Sequence, residues 1–115
     1  KFLQQRALGK PMTITGDGEQ RRDFTSVIDV VQANILAANS QKVGQGEVIN
    51  IGAGKSVSVN KIAELIGGPT KHVPPRLEPR RSLADNSLAK KLLGWEPKIK
   101  LKDGIAELKI LSGLQ

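Results

Sequence analysis

Nine residues, Gly16-Asp17-Gly18-Glu19-Gln20-Arg21-Arg22-Asp23-Phe24, constrain this chain more than any others. They follow the alternating stretch Met12-Thr13-Ile14-Thr15, which reads as a strand, and precede an apolar run from Val27 to Ala38, which reads as a helix. Between the two lie a turn and a pair of adjacent cations. Glycine at 16 and 18 lets the backbone reverse where a side chain would be strained. A guanidinium just beyond such a turn can grip a phosphate through two parallel hydrogen bonds. The expected order is strand, glycine turn, anion contact, then the start of a helix.

Further along, the pattern predicts short elements broken by glycine and proline. Phe2 to Leu8 reads as the end of a helix, stopped by Gly9-Lys10-Pro11. Val27 to Asn39 carries apolar residues at 27, 31, 35 and 38, one helical face of the kind that meets a core. Glu47 to Ile51 reads as a buried strand after the turn at Gly44 and Gly46. Ser58 is placed to cap a short helix with Val59, Ile62, Ala63 and Ile66 on one face, ended by Gly67-Gly68-Pro69. Lys71 to Val73 can form a short strand. Pro74 to Arg81 is an irregular loop holding Arg76, Arg80 and Arg81. Asp85 or Asn86 caps a helix with Leu88, Ala89, Leu92 and Leu93 apolar, closed by Gly94 and blocked by Pro97. A last helix runs from about Asp103 to Leu111, with Ile105, Leu108 and Leu111 inward. Short strands among short helices indicate an α/β fold of α+β character. At 115 residues the chain is expected to form a single domain, 1–115, packed against something larger.

Charge narrows the partners. The net charge of +7 favours anions: phosphorylated small molecules, nucleic acid or acidic surfaces. Phe2, Phe24 and Trp95 are the only aromatic residues, so the chain offers little for stacking bases, which counts against nucleic acid. The absence of cysteine excludes a disulfide scaffold, thiolate zinc sites and thiol nucleophiles, and it fits a reducing, cytoplasmic location. No apolar run approaches the ~20 residues that span a bilayer, so no membrane partner is expected. No signal peptide is visible, and a chain opening on Lys1 is expected to lack its natural start.

Two other features invite a chemical reading. Gly52-Ala53-Gly54-Lys55-Ser56 looks like a phosphate loop, but the position that should hold its first glycine is Ile49. The helix start that should face the phosphate lies later, at Ser58. An ordinary strand-to-helix turn is the expectation. His72 is the sole histidine and has no neighbouring ligand cluster, so a surface or structural role is expected rather than metal binding.

The order Ile-x-Gly-Asp-Gly-x-Gln-x-Arg-Asp-Phe, from Ile14 to Phe24, closely resembles a stretch of the NAD-dependent nucleotide-sugar epimerases and dehydratases. These are extended short-chain dehydrogenases typified by UDP-glucose 4-epimerase. Three further segments match in order: the Asn-Ile-Gly-x-Gly turn from Asn50, the stretch Arg76 to Asp85, and Leu93-Gly94-Trp95-Glu96-Pro97 through Ile105. The resemblance implies that Arg22 and Arg76 contact a nucleotide diphosphate and that Glu78 contacts the nucleoside ribose. It also implies a nucleotide contact for Asn50, whose side chain can alternatively bond the turn backbone. The Arg76 segment lacks the family's glycine and is one residue shorter, which makes Arg80 a rival phosphate ligand.

What the family needs for catalysis is absent from this sequence. NAD sits on a Gly-x-x-Gly-x-x-Gly turn in a Rossmann half, and a Tyr-x-x-x-Lys pair handles the proton. The chain has no tyrosine and no such glycine turn. The resemblance therefore implies the C-terminal, substrate-binding third of a two-domain enzyme, with no catalytic, cofactor or metal residue of its own. NAD is expected only in the full-length parent. The expected partners are a nucleotide diphosphate sugar, the missing Rossmann half and, through exposed apolar surface, a second copy of the chain. The alternatives are a stand-alone basic module for nucleic acid or another polyanion, and a non-catalytic assembly domain.

Overall fold

The computed structural model describes all 115 residues. In chain order the elements are α1 (Phe2–Ala7), β1 (Met12–Thr15), β2 (Arg21–Asp23), α2 (Val27–Asn39), β3 (Ser56–Ser58), α3 (Val59–Ile66), β4 (Thr70–Val73), α4 (Ser87–Leu93) and α5 (Leu101–Leu111). Strand β1 pairs in parallel with β4, Met12 opposite Thr70 and Thr15 opposite Val73. Strand β2 pairs antiparallel with β3, Arg22 opposite Val57. On its other edge β2 meets the arginine loop through a bridge between Arg21 and Arg81. The glycine turn at 16–18 joins the two small sheets. No helix is long and apolar enough to cross a membrane.

Two apolar clusters hold these pieces. The alternation of β1 sends Met12 and Ile14 inward, onto Ile62, Ala63 and Ile66 of α3 and Ile105 of α5. The second cluster joins Ala33 of α2, Ala89 of α4 and Trp95, with Ile49 and Ile51 against it. Buried Asp29 ties it together. Its carboxylate accepts from the Lys98 and Ile99 amides at 3.0 and 3.1 Å, and its carbonyl accepts from Trp95 Nε1 at 2.8 Å. These bonds satisfy a charge that would otherwise be costly to bury.

The caps follow the sequence. Ser26 Oγ accepts from the Ile28 amide at the start of α2, and Ser58 Oγ accepts from Lys61 at the start of α3. Asp85 accepts from the Ser87 amide at the start of α4. Gly94 ends that helix in the left-handed conformation, with φ 62°.

Four expectations are corrected. Arg21 to Asp23 form strand β2 before any helix begins. Glu47 to Ile51 is extended but forms no strand. Ile49 and Ile51 pack inward while Val48 is 85% exposed, yet no backbone–backbone hydrogen bond reaches the segment, because no strand edge lies beside it. On α2, Val27, Val31 and Ile35 point outward, and the buried stripe is Asp29 and Ala33. Small Ala33 lets Trp95 and Ala89 approach closely, which the larger residues would prevent. On α5, Ile105 is buried, but Leu108 and Leu111 are exposed. The molecule measures 48 × 32 × 18 Å, too thin for both faces of its helices to find apolar neighbours.

Candidate functional site

The site grows from the end of β1. Gly16 and Gly18 take φ values of 63° and 76°, which L side chains rarely adopt. A Cβ on Gly18 would also run into the Asn60 side chain and come within 2.8 Å of Ile14 Cγ2. The turn is fastened from three sides. The Asn60 and Val59 amides donate to Gly18 O and Gln20 O at 3.0 and 3.1 Å. Asn60 Nδ2 donates to Asp17 O at 2.9 Å. His72 Nδ1 lies 2.6 Å from Gly16 O, and because a carbonyl only accepts, the proton is on Nδ1. His72 thus has a structural role, as its isolation in the sequence predicts.

The arginine loop closes over this turn. Arg80 grips Asp17 with two parallel hydrogen bonds of 2.8 and 3.0 Å. That contact first, and the Glu19 amide second, hold the Asp17 carboxyl well below its ordinary range, at about 2. The loop backbone is stitched to β2 by Arg21 N to Arg80 O at 2.9 Å and Ser82 N to Arg21 O at 3.0 Å. Between turn and loop lies a cavity of about 500 Å³, its polar wall formed by Asp17, Gln20, Arg76, Glu78 and Arg80.

Arg22, Arg76 and Glu78 come together here, as expected. Arg22 Nη2 donates to Glu78 Oε2 at 2.8 Å, and Arg76 Nη2 lies 3.8 Å from the same oxygen. Arg22 Nη1 also donates to Arg21 O at 2.8 Å, which fixes the guanidinium plane. Two participants escaped the sequence reading. Gln20, almost fully buried, donates to Thr15 O at 2.9 Å and to Glu78 Oε1 at 3.2 Å. Asp17 claims Arg80, the rival phosphate ligand. A polar residue kept within the glycine run was the only available signal for Gln20; nothing local pairs Asp17 with a residue 63 positions away.

Asn50 is elsewhere. It is exposed on the extended segment beside the second cluster and lines neither this cavity nor the groove along α2. Asp23, the residue after Arg22 on β2, turns to the 52–54 turn. Its carboxylate gathers the amides of Ala53, Gly54 and Ala84 at 3.0, 2.9 and 3.2 Å. It thereby occupies the amides of the apparent phosphate loop, which leads into β3 rather than a helix.

Chemically, the cavity can meet an anion at Arg76, with Arg22 behind Glu78, and accept hydroxyl groups at Glu78. No group of His, Asp and Glu side chains converges closely enough to hold a metal ion. The residues present do not fit the pyrophosphate of a dinucleotide. The turn after β1 leads into a strand, so it lacks the strand–turn–helix order in which free amides at a helix start meet a pyrophosphate. The first amides of α3 already bond Gly18 O and Gln20 O.

Residues 1–108 match the family model described as GDP-mannose 4,6 dehydratase. The UDP-glucose 4-epimerase of Mycolicibacterium smegmatis is 37% identical over 114 residues, covering 92% of this chain and 36% of that protein. The UDP-glucuronate 4-epimerase of Thermodesulfobacterium geofontis is 40% identical over 104 residues, covering 84% and 31%. Among solved structures, the UDP-glucuronic acid 4-epimerase of Bacillus cereus in complex with UDP-glucuronic acid and NAD superposes with a TM-score of 0.81. It is 35% identical, with 91% of this chain and 36% of that one covered. The chain thus spans roughly a third of the length of the relatives it matches.

Proposed function

This chain belongs to the NAD-dependent epimerase/dehydratase family, corresponding to its C-terminal part, and from that membership we propose that it is the nucleotide-sugar-binding portion of such an enzyme. Arg22 and Arg76 hold the diphosphate of a UDP-sugar, Glu78 accepts ribose hydroxyls, and residues 1–115 act as one unit. NAD and the groups that handle hydride and proton belong to the remainder of the enzyme, since this sequence has no tyrosine and its glycine turn does not fit a dinucleotide. The reading takes the protein to act in the cytoplasm, with which a sequence free of cysteine is compatible.

One observation carries the proposal. Residues 22 and 76, from two segments more than fifty positions apart, converge on Glu78, which with Arg76 lines a cavity built on the glycine turn. A guanidinium on the cavity wall at Arg76, with a second at Arg22 behind Glu78, suits a diphosphate better than a neutral ligand. In the intact enzyme, binding energy at the diphosphate would fix the sugar for reaction at the other half. Asn50 takes part only as a contact made from outside this cavity. The outward faces of α2 and α5 are the surfaces such a half would cover.

Calorimetry with UDP tests the reading. The wild-type chain should bind UDP, and Arg22→Ala and Arg76→Ala should each weaken binding by about tenfold or more. Equal affinities in variants shown by circular dichroism to be folded would remove both arginines from the site.

A further inference from the structure

Glu78 stands where a phosphate would be expected to stand. Its Oε2 takes the 2.8 Å bond from Arg22 and lies 3.8 Å from Arg76, and its Oε1 takes Gln20 at 3.2 Å. Gln20 is itself anchored on Thr15 O, so the donor side of this arrangement is fixed. Glu78 lines the cavity and Arg22 does not, so an entering ligand meets the carboxylate before the guanidinium behind it. The Arg22 and Glu78 side chains are only 26% and 21% exposed, against 66% and 59% for the Arg80–Asp17 pair. Water therefore screens the Arg22–Glu78 attraction less.

We propose that Glu78 is a resident counter-ion that makes this pocket reject bare inorganic anions and select diphosphates that carry hydroxyl groups. The inference rests on the diphosphate reading above. A ligand phosphate entering through the cavity reaches Arg22 past Glu78 and takes its Nη2 bond by displacing that carboxylate, leaving it near the ligand's own negative charge. Pyrophosphate offers Glu78 nothing in return. A nucleoside diphosphate offers hydroxyl donors, which restore the lost hydrogen bonds on the same carboxylate. Selectivity then arises from a group that opposes the wrong ligand as well as from groups that attract the right one. Arg80 does not relieve the competition, because Asp17 holds it in two hydrogen bonds.

The test is calorimetric titration of the full chain with inorganic pyrophosphate and with UDP, using wild type, Glu78→Gln, Glu78→Ala and Arg22→Ala, each checked for folding by circular dichroism. Glu78→Gln removes the charge and keeps the shape; Glu78→Ala also removes the hydrogen bonds and serves if the first variant does not fold. Wild type should prefer UDP. Removing the carboxylate should tighten pyrophosphate binding by about tenfold or more, the equivalent of one released charge-assisted hydrogen bond, and should erase most of the preference. A gain below about threefold, alongside weakened binding in Arg22→Ala, would overturn the counter-ion role while leaving the diphosphate reading intact. Unchanged binding of both ligands in Arg22→Ala would overturn the diphosphate reading and this inference with it.

Discussion

Asp23→Asn should unfold this chain far more easily than its position on a three-residue strand suggests. Oδ1 of Asp23 accepts from the Ala53 amide at 3.0 Å and the Thr25 hydroxyl at 3.3 Å. Oδ2 accepts from the Gly54 and Ala84 amides at 2.9 and 3.2 Å. One carboxylate thus joins β2, the 52–54 turn and the end of the arginine loop. An asparagine places its single oxygen best toward Gly54 and Ala84, turning its NH₂ toward the Ala53 amide. Ala53 keeps a partner in Thr25 Oγ1 at 3.1 Å, so no amide is orphaned. The Thr25 hydroxyl can turn to accept from the new NH₂, so the cost is the Ala53 bond lost and the Gly54 and Ala84 bonds reduced from charge-assisted to neutral, about 1 kcal/mol each, or roughly 2–3 kcal/mol in all. Trp95 is the only tryptophan and is 1% exposed, so its fluorescence follows the transition directly. In urea, the midpoint should fall by about 1–2 M for a slope of about 1.5 kcal/mol per molar. Asp23→Ala should cost more, because Gly54 and Ala84 would then lack acceptors. A loss below about 0.5 kcal/mol in Asp23→Asn would refute the idea that this carboxylate holds the loop that shapes the cavity.

Two further outcomes follow from other parts of the molecule. The Asp17 carboxyl ionises at about 2 in the fold against an ordinary 3.8, so its pairing with Arg80 favours folding above pH 3.8 and is lost as pH falls through about 2. In acid titrations followed by Trp95 fluorescence, wild type should therefore be more stable than Asp17→Asn above pH 3.8, with the difference shrinking as pH falls toward about 2; a gap at pH 2 as large as that above pH 3.8 would contradict this. Val31 and Ile35, 47% and 48% exposed on α2, are expected to drive association of the chain with itself. Light scattering across a dilution series should show wild type gaining mass with concentration and a Val31→Lys/Ile35→Lys variant remaining monomeric, whereas identical mass curves would rule out this face.

Much of the local structure was legible because its causes are local. The alternation of Met12 to Thr15 sets the inward side of β1, and Ser58 and Gly94 mark helix ends through their own backbone chemistry. Within the candidate site, Arg22, Arg76 and Glu78, singled out by motif resemblance, lie in contact with one another. Three elements went otherwise. The α2 stripe at 27, 31 and 35 has helical spacing, but spacing says only that one side is apolar and cannot say which side the rest of the chain covers. Glu47 to Ile51 has strand composition, yet a strand exists only if a neighbouring edge supplies hydrogen bonds. Asp23, beside Arg22 in sequence, invites a local ion pair, but alternation along β2 points the two side chains to opposite faces.

By itself, the sequence determined the family, the chain's own excess of positive charge and the absence of a Tyr-x-x-x-Lys pair, since each is a property of residue identity and order. Only the tertiary structure decided how the cations are distributed. Arg80 goes to Asp17, Arg22 goes to Glu78, and the apparent phosphate loop goes to Asp23. The partners in these pairs lie 63, 56 and 31 positions apart. Which carboxylate meets which donor across such separations is set by how β1, β2 and the arginine loop fold around the glycine turn, a geometry that no single stretch of the chain contains.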